Sequence, residues 1–370
     1  MKIATFNIQN LFHRDRSLIK KPYSKCVADW IRELDELLLT KSRSENTLDR
    51  IKELVFLLGF DKSNRQPYVV MRKRAGLLFI KGSNYSKELR AGEVTDWNGW
   101  ITLSTVPLNE EAIKNKARVI SEADPDILIL QEIEDLSSLE EFNTEFLPQF
   151  NCSPFDETVV LQNKSGNGQE TGLLLKNGYA LNTIQNYYLD SGEHSLFKQQ
   201  LVQYEIKTPE NNRIYLLSAN LVAESNDKKI SDYKRKLQTQ QIANICEELY
   251  AQGKEKIILA GTLNAVPYCD SLTPLRNTNL RDISKHSSFN TDFDQGKDAS
   301  YFRMGAYRMG VNIRQQDYLM LSPALFEKVK AGGLNRKAIW PIKKPIWSVY
   351  SSVQNKSHEA SEHPVIWAQL

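Results

Sequence analysis

The most constraining stretch is Asp126-Ile127-Leu128-Ile129-Leu130, a nearly all-apolar run that stops at Gln131-Glu132. A strand carries apolar residues on both faces only where both faces are covered, so this run predicts a strand inside a layered structure. Comparable runs follow. Lys2 to Ile8 has Ile3, Phe6 and Ile8 apolar and breaks at Gln9-Asn10. Gly172–Leu175, Gln203–Ile206, Ile214–Asn220, Ile257–Gly261, Tyr318–Leu321 and Val365–Ala368 also read as strands. Few helices lie between them. Asn109 caps one, with Glu110 and Glu111 in its first turn, where carboxylates suit the dipole. Ser231 opens another, which runs through Leu237, Ile242, Ile245 and Leu249 and closes at Gly253. The pattern predicts α+β: packed sheets with helices outside.

Residues 13–110 read as an elaboration between two core elements of a single domain, 1–370. Trp30, Ile31, Leu34, Leu37 and Leu38 share a helical face. Asn46 or Thr47 caps a second helix through Leu57-Leu58, with Gly59 after it. Val69–Met71 and Leu77–Ile80 flank a hairpin, and Trp97–Leu103 forms a further strand. A chain of 370 residues, 41% hydrophobic and 25% charged, is neither disordered nor a coiled coil. Its net charge of +3 neither demands nor excludes nucleic acid. No apolar run approaches the roughly 20 residues of a membrane span, and the opening MKIATFNIQNLF does not read as a secretory signal. Four scattered cysteines without paired spacing fit a reducing compartment, so a cytoplasmic location is expected; Cys246, in a helix, reads as an inert buried thiol.

Polar residues stand just past these strands: Asn7, Glu132, Asn220, Thr262 with Asn264, Asp317 just before its strand, and Glu362-His363. Any one strand end is polar simply because it meets solvent. Six ends carrying carboxylate, amide and imidazole are what a hard-metal phosphodiester site needs. Mg²⁺ wants oxygen ligands and keeps waters, the ion polarises a phosphoryl oxygen or activates water, and amides and imidazolium offset developing charge.

At these residues the sequence resembles the endonuclease/exonuclease/phosphatase superfamily, in particular its bacterial single-domain branch. The resemblance runs through Thr5-Phe6-Asn7-Ile8-Gln9-Asn10-Leu11-Phe12, Asp126 to Glu132, Leu259-Ala260-Gly261-Thr262-Leu263-Asn264, Gln316-Asp317 to Pro323, and Ser361-Glu362-His363, and so covers almost the whole chain. It implies a DNase I-like two-layer β-sandwich flanked by helices, with the site at one rim. It further implies that Glu132 binds Mg²⁺ or Mn²⁺ and that Asn7 supports that site; Glu362, which keeps the charge of an aspartate usual before the final histidine, is the candidate to hold a loosely bound ion with Glu132. The same resemblance implies that Asn264 contacts the phosphate or attacking water, and that His363 works on the scissile phosphate, oriented by Asp317.

The departures carry as much information. The family's glycine-aspartate-x-asparagine has become Gly261-Thr262-Leu263-Asn264, so the carboxylate that aligns water is missing. Its asparagine-histidine pair is Ala219-Asn220, which removes a second imidazole from the catalytic set. A lysine is replaced by Val222, Gln9 stands for a glutamate, the acidic, arginine-bearing loop reads Lys164 to Glu170, and an arginine near Gln199 is absent. A positioned acid or base is worth roughly 10²–10⁴ in rate and one transition-state donor roughly 10²–10³, so catalysis is expected to be impaired and the metal weakly held. Two readings remain open: a divergent phosphodiesterase acting on nucleic acid, and an inactive copy that binds nucleic acid or protein. A phosphatase of lipid or sugar phosphate is a third. His194, His286 and Asp270 are the candidates for a substitute group. The basic clusters Arg72-Lys73-Arg74, Lys228-Lys229 and Lys234-Arg235-Lys236 are solvated faces by default, or phosphate contacts if the last two lie beside the rim. Tyr301, Phe302, Tyr307, Trp340 and Trp347 read mainly as core, with base stacking as the alternative. The 13–110 insertion either meets a protein partner or packs on the flank.

Overall fold

Alternation explains the apolar run. Ile127 and Ile129 enter one buried cluster, Leu128 and Leu130 another. The computed structural model describes residues 1–12, 108–134, 136–161, 170–187, 201–290, 315–341 and 347–370, with parts of 29–58 and the backbone of 69–73, 78–79 and 99–103. Its strands are β1 (Lys2–Asn7), β2 (Val69–Lys73), β3 (Leu78–Phe79), β4 (Gly99–Leu103), β5 (Ile127–Ile133), β6 (Glu157–Leu161), β7 (Glu170–Leu175) and β8 (Ala180–Tyr187). There follow β9 (Leu201–Lys207), β10 (Arg213–Asn220), β11 (Ile257–Thr262), β12 (Arg281–Asp282), β13 (Phe289–Asn290), β14 (Asp317–Leu321), β15 (Ala331–Asn335) and β16 (Val365–Gln369). The longer α-helices are α1 (Glu45–Leu57), α2 (Glu110–Ala123), α3 (Leu136–Glu141) and α4 (Lys228–Ala251).

One sheet has the order β13-β15-β16-β1-β5-β7-β6 and a second β12-β14-β11-β10-β9-β8. Their inner faces meet through Ile3, Ile129 and Leu173 from the first and Tyr204, Leu216, Ile258 and Leu319 from the second. Ile113, Ala117 and Ile120 of α2 join Phe6 and Leu128 on the outer face of the first sheet. Ile242, Ile245 and Leu249 of α4 join Leu217 and Leu259 on that of the second. Burial of each such side chain stabilises by about 1.5–3 kcal/mol, which leaves the strand ends free for polar work. The architecture is the expected α+β sandwich with helices outside.

Strand direction gathers the site. β1 runs parallel to β5, and β10 to β11, so all four finish at one rim. Parallel neighbours need a long crossover, and α4 is the one between β10 and β11. β14 is antiparallel to β11 and starts there, with Asp317 opposite Thr262. β16 is antiparallel to β1, so the loop that delivers His363 lies at the same rim.

Within the insertion, β3-β2-β4 form a small antiparallel sheet, and the Met71↔Phe79 pairing makes the expected hairpin. Ile31, Leu38, Gly59 and Trp97-Asn98 lie outside the described residues. Two helix starts differ from expectation. Ser44 caps α1, its hydroxyl accepting from Thr47 N at 3.3 Å, instead of Asn46 or Thr47. Asp227 caps α4 four residues before Ser231, which is buried within the helix and donates to Lys228 O at 3.0 Å. In both cases a capping oxygen stands earlier in the sequence. Asn109 caps α2 as expected, accepting from Glu111 N at 2.9 Å. Cys246 is buried, which pushes its thiol up to about 12. Among the described residues no helix is long and apolar enough to cross a membrane.

Candidate active site

The rim depends first on Gly261. Its φ of +135° suits glycine, and a Cβ there would lie 1.9 Å from Ala219 O. β11 therefore closes on β10 just before Thr262. On the other sheet a register shift between Gln131 and Ile133 puts Glu132 at φ +61° and half-buried at the rim. Gln9, Asn10 and Asn264 also have positive φ, at +49°, +65° and +52°. Each such residue costs about 1–3 kcal/mol, and such strain collects where surrounding structure over-determines a functional site.

A continuous hydrogen-bonded chain crosses from one sheet to the other. His363 Nδ1 lies 2.9 and 2.8 Å from the two oxygens of Asp317, which is buried. Thr262 Oγ1 donates to Asp317 Oδ1 at 2.6 Å and accepts from Asn7 Nδ2 at 3.2 Å. Asn7 Nδ2 also donates to Glu132 Oε1 at 2.9 Å, and Asn220 Nδ2 donates to the same oxygen at 3.1 Å. Burial works against the imidazolium of His363, but the charge and hydrogen bond of Asp317 outweigh it, with Glu132 and Glu362 adding, so its pKa is raised. His363 Nε2 has no hydrogen-bond partner among the described residues.

The histidine loop is pinned to β1. Ser361 Oγ donates to Asn7 O at 2.7 Å and accepts from His363 N at 3.1 Å. Gln9 Oε1 accepts from Glu362 N at 2.9 Å. Lys116, buried, donates to both Ile8 O and Ala360 O.

His363, Asp317, Asn220, Glu132 and Asn7 are thus brought together. Asn264 is held beside them, its amide donating to Leu221 O at 2.7 Å. Glu362 is not drawn to Glu132; its carboxylate pairs with Lys356 at 2.6 Å. Of the substitute candidates, His286 shares a hydrogen bond with Ser288 Oγ at 2.8 Å and packs edge-on against Phe326, while Asp270 starts a short 3-10 helix. His194, Gln199, Tyr301, Phe302, Tyr307 and most of the Lys164–Glu170 loop lie outside the described residues. Trp340 and Trp347 pack as core. Arg235 is buried, donating to Val222 O at 2.9 Å, and so is no phosphate contact. Sequence reasoning missed the wiring role of Thr262 and the pins Ser361 and Lys116. A charged residue on the apolar face of α2 was the available signal for Lys116.

The donors present suit a modest metal site. Among the described residues no group of three or more His, Cys, Asp or Glu side chains is placed to hold a metal ion. Glu132 offers one carboxylate, and Asn220 Oδ1, on the amide that holds it, is a buried acceptor with no partner. Mg²⁺ is often bound by one or two carboxylates plus substrate phosphate while keeping several waters, and this donor set fits that kind of ion.

No family model and no curated protein matches the chain. Solved structures are similar to it. TDP2 from Caenorhabditis elegans, truncated, has 16% identity and a TM-score of 0.46, over 70% of this chain and 88% of its own. A mannosyl-6-phosphatase from Bacteroides thetaiotaomicron has 12% and 0.47, over 69% and 89%. The human Nocturnin catalytic domain, with bound sulfate, has 17% and 0.44, over 71% and 87%. An endonuclease/exonuclease/phosphatase from Bacteroides vulgatus has 14% and 0.47, over 70% and 89%. The chain is similar to these structures at 12–17% identity, and nothing of their roles is carried over from them.

Proposed function

We propose that the chain is a divergent divalent-metal phosphodiesterase with weak water activation. The observation that supports this is the unbroken His363–Asp317–Thr262–Asn7–Glu132 chain at one rim. At one end, Asp317 fixes the imidazole through Nδ1 and favours its protonated form, leaving Nε2 to donate to a phosphate oxygen or leaving group. At the other, Asn7 and Asn220 hold Glu132 Oε1, and Glu132 would hold a divalent ion with Asn220 Oδ1 as a further oxygen. When bound, such an ion polarises a phosphoryl oxygen and acidifies its water. What is weak is the base. A threonine hydroxyl does not deprotonate water near neutral pH, and the Thr262 hydroxyl already donates its hydrogen bond to Asp317.

One observation favours the second reading, a catalytically inactive module that binds nucleic acid or protein: Glu362 is committed to Lys356, so a second rim carboxylate is spent. The test is hydrolysis of bis(p-nitrophenyl) phosphate and of single- and double-stranded DNA with Mg²⁺ or Mn²⁺. Wild type runs beside His363→Ala and the double variant Thr262→Asp/Asn220→His. Wild-type turnover above that of His363→Ala supports the phosphodiesterase. Turnover by the double variant alone supports the inactive module.

A further inference from the structure

We propose that the first turns of α4 and the loop after β11 form a platform for single-stranded nucleic acid that leads into the rim; this rests on the phosphodiesterase reading and names its substrate class. Three observations place and equip the surface. The helix is tied to the rim strand: Arg235 donates to Val222 O at 2.9 Å, and Gln238 Oε1 accepts from Val222 N at 3.1 Å, two residues past Asn220. The loop is tied to the helix, since Cys269 Sγ lies 3.8 Å from Asp232 Oδ1, next in sequence to Tyr268 and Tyr233.

Tyr268 and Tyr233 are 55% and 63% exposed and Ile230 is 52% exposed, so three large side chains stand outside the three buried clusters of the described residues. Around them Lys228, Lys229, Lys234 and Lys236 are exposed, and none pairs with a carboxylate among the described residues. Elsewhere Lys114, Lys176, Lys337 and Lys356 all do. Of the acids nearby, Asp232 pairs with the buried Arg235 and Asp227 caps α4, so the exposed Glu224 and Asp270 stand against four lysines.

Flat rings interleaved with free ammonium groups suit a strand whose bases are unstacked and whose phosphates need neutralising. A duplex keeps its bases stacked and offers the tyrosines nothing. A bilayer would find one aliphatic anchor, Ile230, which is too little for stable insertion.

The test is fluorescence anisotropy with a labelled mixed-sequence DNA 12-mer and the full chain in EDTA, so that no turnover intervenes. The same-length duplex, tripolyphosphate and anionic phospholipid vesicles serve as competitors. The expected result is preference for the single strand. Tyr233→Ala and Tyr268→Ala should each weaken it about tenfold or more. Replacing the four lysines by Gln should reduce the slope of log affinity against log salt by about 0.7 per lysine. The proposal is overturned if the tyrosine variants bind within twofold of wild type, or if duplex, tripolyphosphate or vesicles compete as well as the strand. Hydrolysis of bis(p-nitrophenyl) phosphate keeps the two readings apart. Wild-type turnover lost in His363→Ala, with strand binding indifferent to the tyrosines, sinks the platform alone. Tyrosine-dependent binding without any turnover sinks the hydrolase alone.

Discussion

Thr262 sits between Asp317 and Asn7 as donor to one and acceptor from the other. A carboxylate at 262 would meet Asp317 at hydrogen-bonding distance with no proton between them, and like charges that close disfavour joint ionisation. Thr262→Asp should therefore melt below wild type in EDTA and recover with Mg²⁺; equal melting temperatures with and without the ion would contradict this. Thr262→Val leaves Asp317 Oδ1 and Asn7 Nδ2 each one partner short, and should cost about 1–3 kcal/mol in urea unfolding. His363 adds a pH dependence whose sign follows from its raised pKa. The His363–Asp317 contribution is fully present below about pH 6.5, the ordinary value. It fades as pH climbs through the higher folded pKa, because the folded state then releases the proton. Urea midpoints measured from about pH 6 to 9 should fall for wild type and stay flatter for His363→Gln. At this scale the sequence displayed the residue types but not their wiring: which oxygen Thr262 donates to depends on strand register.

Elements decide that register. The apolar runs were legible because burial on both faces leaves a composition that few other structures tolerate, and Ile127–Leu130 shows it. Helix starts were less legible at Ser44 and Asp227, where several capping oxygens compete within a few residues and tertiary packing chooses. The positive φ at Glu132 left no mark in the sequence, since glutamate is not a residue that advertises it. Gly261 did mark its place. Gly261→Ala drives a Cβ into Ala219 O, which is backbone and has no flexible end to give way. It should cost about 3 kcal/mol or more, seen as a lower urea midpoint, and part β11 from β10 at Thr262. Lys116 tests the other sheet. Lys116→Met strands Ile8 O and Ala360 O, and should lower stability by about 1–3 kcal/mol while loosening the loop that carries His363. Amide hydrogen exchange at 360–363 reads that loosening directly, and unchanged protection there would count against it.

Across the whole molecule the site is assembled from residues as far apart as Asn7 and His363, and neither sheet holds it alone. Asn7 and Glu132 come from the first sheet, Asn220, Thr262 and Asp317 from the second, and His363 from the loop that returns to the first. A site that forms only when the sandwich closes is absent from the unfolded chain, so any ion it binds stabilises the fold by mass action. The donor geometry makes that linkage specific. Glu132 presents a carboxylate to the rim, whereas the carboxylate of Glu362 is 62% exposed and faces Lys356. At ten times its dissociation constant, Mn²⁺ should add about 1.4 kcal/mol to unfolding in urea. Glu132→Gln should abolish that increment and Glu362→Gln should leave it in place. Electron paramagnetic resonance of the free ion counts binding independently of stability. If the losses fall the other way round, Glu362 leaves Lys356 in solution and the ion sits on the histidine loop instead of on β5.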